Sequence, residues 1–158
     1  MTDLFSDILN KKAADTEEPK PTPTGTYVMG IQSLPEQRTV ETKDGDRAVL
    51  RFKCKIISPQ ADVDQTRLSE AAGEGGLASL APLNHDLWVD TPQGEFALQQ
   101  FLSNTLGLDL GEGRTKKSYS ELLPESVGKQ LLGTVIHKMG MRDNKPVIYV
   151  NIGSVAHL

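Results

Sequence analysis

The sequence predicts a mainly β domain in which one long helix interrupts a succession of strands. Three observations predict it. Residues 48–57 carry the clearest period-two signal, with apolar and charged side chains alternating from Leu50 to Ile56, an amphipathic helix starts at Thr91-Pro92, and two strand-like runs close the chain around Asp143-Asn144. Alternation with a period of two belongs to strands because successive side chains point to opposite faces.

Taken in order, Leu4, Phe5, Ile8 and Leu9 recur at helical spacing, with Asp3 near the start and Lys11 and Lys12 near the end, as the helix dipole favours. A helix this short is marginal without tertiary support, so the segment is either a frayed tail or a docking element for a protein partner. From Ala13 to Thr24 three prolines fall in five residues and no side chain is more apolar than alanine or proline, which predicts an extended linker. Thr26 to Leu34 alternates, with Tyr27, Met29 and Ile31 on one face and Gly30 suggesting a bulge or bend. The polar stretch PEQRTVETKDGD is expected as a connection, and Ala48 to Ile57 as the second strand. Its face of Leu50, Phe52, Cys54 and Ile56 opposes a cationic face of Arg51, Lys53 and Lys55.

Ser58 to Asn84 is long for a loop and includes a candidate short helix at Asp62 to Ala72. Leu87 to Val89 is the third strand, followed by the helix, whose stripe is Ala97, Leu98, Phe101, Leu102 and Leu106 with Gly107 beyond its end. A loop and a short helical stretch around Glu121 to Lys129 lead into strands at Leu131 to Met139 and Pro146 to Ile152, joined by the five residues GMRDN. Strand, strand, strand, helix, strand, strand is the order of a five-stranded OB-fold barrel. The expected division is a flexible N-terminal tail over residues 1–24 and an OB-fold domain over 25–158.

Composition limits the function. A chain of 158 residues with 37% hydrophobic and 24% charged residues supports one modest core, and a net charge of −4 excludes an indiscriminate polycation. Any nucleic-acid site is therefore a local patch. The single cysteine, Cys54, excludes a disulfide framework and cysteine-rich metal sites, and fits a reducing cytoplasm. No run approaches a membrane span, so no membrane partner is expected.

Chemistry is sparse. His85-Asp86 near Asp90 lacks paired metal-ligand spacing and reads as a solvated surface, so no metal is expected. The runs GEGG and GEGRTKKS do not fit a phosphate-binding loop, and Asp62 and Asp64 lie in a segment expected to be mobile. No nucleophile sits in a recognisable catalytic context. The expectation is a protein that is not an enzyme and uses no cofactor.

Gly25-Thr26-Tyr27, the basic strand Arg51-Phe52-Lys53-Cys54-Lys55, Val127-Gly128-Lys129, the turn Asp143-Asn144-Lys145 and the strand bearing Tyr149 together resemble a family of small bacteriophage-encoded OB-fold proteins that bind single-stranded DNA. The resemblance spans Gly25 to Ile152. It implies non-sequence-specific binding in phage DNA replication or recombination, in the cytoplasm of the bacterial host. Bacterial single-stranded DNA-binding proteins typically end in an acidic tail with a terminal phenylalanine that recruits partners. This chain ends Val155-Ala156-His157-Leu158, and its acidic, apolar segment lies at the N-terminus, where Leu4, Phe5, Ile8 and Leu9 would meet replication or recombination proteins.

Binding a single strand without base readout needs cations for phosphates and aromatic faces for bases. Arg51, Lys53 and Lys55 supply the first, on the argument that three like charges in register repel until an anion arrives. Arg38, Lys43 and Arg47 before the second strand, and Lys138, Arg142 and Lys145 around the last hairpin, extend the candidate surface. Alternation places Trp88 outward with Asp86 and Asp90, where it could stack on a base, although the aspartates would repel DNA and a core position competes. Tyr27 and Tyr149 read as core or rim residues. The alternative function is a protein-interaction module with an OB-like barrel and no nucleic-acid binding.

Overall fold

The computed structural model describes residues 4–15, 20–111 and 115–158. The fold is one antiparallel sheet of six strands: β1 (Gly25–Ile31), β2 (Glu36–Thr42), β3 (Gly45–Pro59), β4 (Leu83–Trp88), β5 (Gln130–Arg142) and β6 (Lys145–Ala156). The hydrogen-bonded order is β2-β3-β1-β5-β6, with β4 also paired to β3. Among the described residues the α-helices are α1 (Leu4–Leu9), which precedes the sheet, and α2 (Gln65–Ala72), α3 (Pro92–Leu106) and α4 (Tyr119–Ser126), which lie between strands.

The expectation of five strands is corrected to six. The polar stretch taken as a connection forms β2 and its turn, because β3 supplies a seven-residue ladder from Glu36↔Arg51 to Thr42↔Gly45. Neither face of β2 enters the core, so no apolar alternation announces it. The last hairpin is also tighter than five residues. Asp143 and Asn144 both have positive φ, 52° and 62°, as a two-residue type I′ turn requires, so β5 and β6 run to Arg142 and Lys145. β4 starts at Leu83, earlier than expected, and the bulge in β1 falls between Val28 and Met29, just before Gly30.

The inward residues of β1, β3, β4, β5 and β6 meet the buried face of α3. Phe52 and Phe101 have ring centroids 4.3 Å apart, and Leu98, Leu102, Ile56, Leu131, Val135 and Ile152 close around them. Burying a ring the size of Phe101 contributes about 1.5–3 kcal/mol. His85, expected on a solvated surface, stacks on Phe101 at 5.2 Å and is largely buried, and the ends of the sheet at β4 and β6 approach one another there. No ladder joins them among the described residues. Cys54 is buried, which pushes its thiol up to about 12 and leaves it uncharged at neutral pH.

Where α3 begins fixes the end of β4. Thr91 caps the helix through its hydroxyl, which accepts from the Gly94 N–H at 3.0 Å, and Pro92 occupies the first turn. A Cβ at Gly94 would lie 1.4 Å from the Trp88 carbonyl oxygen, so only glycine lets the helix start this close behind Trp88. After β3 the candidate helix is present as α2, and the surroundings of Asp62 and Asp64, expected to be mobile, are packed. Asp62 accepts the Thr26 N–H and hydroxyl at 2.9 Å each, Asp64 caps α2, and Val63, Leu68, Ala72 and Leu80 are buried.

Packing against the sheet also begins before Gly25. Thr22 and Pro23 are buried, the Tyr27 hydroxyl donates to the Pro23 carbonyl at 2.7 Å, and the His137 ring nitrogen lies 2.6 Å from the Thr22 carbonyl oxygen. The linker expected over residues 13–24 is therefore docked in its last part, while residues 16–19 lie outside the described residues.

Candidate nucleic-acid interface

Alternation along β3 puts Leu50, Phe52, Cys54 and Ile56 inward and Arg51, Lys53 and Lys55 outward, as the sequence predicts. The ladders then set neighbours across the outer face. Arg51 stands between Glu36 of β2 and Asp86 of β4; Val49 stands between Arg38 and Trp88; Lys53 stands beside Asn84. Glu36, Gln37, Arg38, Arg51, Lys53 and Asn84 line an open groove of ≈ 670 Å³. Trp88 is on this outer face, 39% exposed, so the alternation reading holds over the core position.

The charges are not arranged as the sequence suggests. Arg51 makes a two-pronged pair with Asp86, Nε to Oδ1 at 2.8 Å and Nη2 to Oδ2 at 2.9 Å. Arg47 does the same with Asp90, through Nε at 3.0 Å and Nη2 at 2.9 Å, and its guanidinium carbon lies 4.7 Å over the Trp88 ring. Lys53 lies 3.8 Å from Glu36. The expectation of three mutually repelling cations is thus corrected: two of the three are accompanied by carboxylates from adjacent strands. Asp86 and Asp90 are on the predicted face, but as partners of arginines. The Arg47 hydrogen bonds, followed by the Ala48 N–H, hold the Asp90 carboxyl down to about 2.

The remaining predicted cations fall into two groups. Arg38 lines the groove and Lys43 sits at the tip of the β2–β3 turn. Lys138, Arg142 and Lys145 lie on the β5–β6 hairpin, which runs past the last β1 pairing at Val135 as a two-stranded arm. The register puts Lys138, Gly140 and Arg142 on one face with Tyr149, Val147 and Lys145. Tyr149 is 46% exposed, and a Cβ at Gly140 would lie 2.4 Å from its Cε2, so the ring lies against the glycine backbone. Among the described residues none of the arm's three cations makes an ion pair. Tyr149 is a candidate stacking residue that sequence reasoning set aside as core or rim. Its signal was present: an aromatic side chain diagonal to a strand glycine and directly opposite a lysine.

The segment expected to dock partners is helical from Leu4 to Leu9, and Phe5, Ile8 and Leu9 are 73%, 67% and 78% exposed. The GEGRTKKS loop lies partly outside the described residues, which omit 112–114. Among the described residues no helix is long and apolar enough to cross a membrane.

No family model matches this chain, and no curated protein matches it. Among solved structures, a chain of yeast RPA bound to ssDNA is similar at a TM-score of 0.36 and 10% identity, covering 97% of this chain and 85% of that one.

Proposed function

We propose that the protein binds single-stranded DNA without sequence preference. The observation that carries this reading is the outer face of β2, β3 and β4, where the outward Trp88 stands one register step from Arg51 beside a groove lined by Arg38, Arg51 and Lys53. Cations for phosphates beside an aromatic face for a base are the two requirements of sequence-tolerant single-strand binding. Arg47 lies farther along β3 toward the turn that carries Lys43, Lys55 prolongs the face in the other direction, and the arm adds Lys138, Arg142, Lys145 and Tyr149. The strand order β4-β3-β1-β5-β6, with α3 between β4 and β5, supports an OB-type barrel into which β2 is inserted. In such a barrel, oligonucleotides bind the face of the second and third strands, here β3 and β4, and the loops joining strands one to two and four to five. A setting in phage replication or recombination rests on the sequence resemblance.

Titration with oligo-dT at low salt tests the reading. Binding that weakens as salt rises, together with quenching of the single tryptophan, Trp88, is the expected result. Absence of binding at low salt by the folded protein would overturn it. The exposure of Phe5, Ile8 and Leu9 favours a second role for the N-terminal helix as a docking element for replication or recombination proteins.

A further inference from the structure

We propose that Asp86 and Asp90 are specificity-determining residues: each occupies an arginine as an internal stand-in for phosphate, so that the face yields its arginines to a ligand bringing unstacked bases as well as phosphates. The proposal rests on the single-strand reading above and assigns these carboxylates a role in it.

The geometry supplies the argument. A carboxylate and a phosphate take the same fork of an arginine, two parallel N–H···O bonds. Asp86 fills that fork on Arg51, and Asp90 fills it on Arg47. Asp90 is itself fixed, because its Oδ2 also accepts the Ala48 N–H at 3.0 Å. Arg47 in turn covers Trp88 at 4.7 Å, so the stacking surface is capped by a cation in the free protein. A phosphate arriving at either arginine only replaces one anion by another and leaves a carboxylate beside it. For a polyanion without bases, or a duplex whose bases stay stacked, little is gained. A single strand gains more. As Arg47 swings from the ring to a phosphate, a base takes its place on Trp88.

The exchange changes the salt dependence as well. A phosphate neutralised by an arginine releases its condensed counterion, but the vacated carboxylate gathers a cation from solution, and the two cancel. Arg47 and Arg51 therefore add little to the slope of log K against log salt while their aspartates are present.

The test uses the full chain and its Asp86→Asn and Asp90→Asn variants, titrated with oligo-dT, a duplex of equal length and heparin, with folding checked by thermal melting. An asparagine keeps an oxygen for the Ala48 N–H while removing the charge. In both variants affinity for heparin and duplex should rise by a larger factor than affinity for oligo-dT. The oligo-dT salt slope should steepen by about 0.7 per variant, the single-strand value for one contact. An unchanged preference for oligo-dT, or weaker binding of all three ligands by folded variants, would overturn the proposal while leaving single-strand binding intact. A wild-type protein that does not bind oligo-dT would overturn both.

Discussion

The β3–β4 face and the β5–β6 arm present the same kinds of side chain in opposite settings. On the face, Arg51 and Arg47 are paired with Asp86 and Asp90, Lys53 is near Glu36, and Trp88 is covered by Arg47. On the arm, Lys138 stands opposite Tyr149, Arg142 opposite Lys145, and Tyr149 lies against Gly140. The difference follows from strand number. β3 has a neighbour on each side, and those neighbours bring carboxylates into register with its arginines. Beyond Val135 the arm is two strands wide, so each cation has one cross-strand neighbour, and none of these is acidic. Electrostatic attraction of a polyanion should therefore be strongest at the arm, although the longest run of alternating cations is on β3.

The sharpest way to break this comparison is to remove the arm's charge. Replacing Lys138, Arg142 and Lys145 together by alanine should flatten the oligo-dT salt slope by about 2, three contacts at about 0.7 each, which is roughly a hundredfold in affinity near 0.1 M salt. The matching triple replacement of Arg47, Arg51 and Lys53 should flatten it much less. Equal losses would show that the carboxylates on the face do not compensate its arginines.

The aromatic residues sharpen it next. Tyr149→Ala should cost about 1–3 kcal/mol of single-strand binding, the range for one stacked base, and Tyr149→Phe should retain most of the affinity. Trp88→Ala should cost less than Tyr149→Ala, because part of the stacking at Trp88 is spent displacing Arg47. A larger loss at Trp88, measured by competition with labelled oligo-dT, would reverse the ranking of the two regions.

The smallest expected effect concerns the place where the two regions meet. Burial against Phe101 lowers the His85 pKa, opposed by the Ile152 backbone and by the charge of Asp86. Folding disfavours the charged form of a histidine whose folded pKa lies below its unfolded value near 6.5, so below that pH the unfolded chain binds more protons. Stability should be full above about pH 6.5 and fall as pH drops through the lowered folded value. Thermal melts between pH 7 and pH 5 should show this loss, and His85→Gln should remove most of it. An identical pH dependence in the variant would assign the loss to other groups.

The legibility of the sequence varied with how each element earns its stability. The α3 boundaries, the inward face of β3 and the outward position of Trp88 were readable because each depends on local pattern: a cap at Thr91, alternation from Leu50 to Ile56, and Trp88 flanked by Leu87 and Val89. β2 was not, since its polar residues hold a strand only because β3 offers a ladder. Docking of Thr22 and Pro23 was hidden for a similar reason: a proline-rich segment has no period, and while Tyr27 follows Pro23 by four residues, His137 comes from a strand 115 residues beyond Thr22.

The candidate site divides in the same way. By itself the sequence determined which side chains face outward, because the period of a strand is a property of its own backbone. It also determined that Arg51, Lys53 and Lys55 lie along one line, two residues apart. Only the tertiary structure decided which of those charges are free. Pairing between residues up to 43 apart in the chain set Asp90 on Arg47 and Asp86 on Arg51, and the register of the arm gave its cations no acidic cross-strand partner. Charge pairing at a few ångströms is a property of neighbours in space, and in an antiparallel sheet those neighbours come from distant parts of the chain.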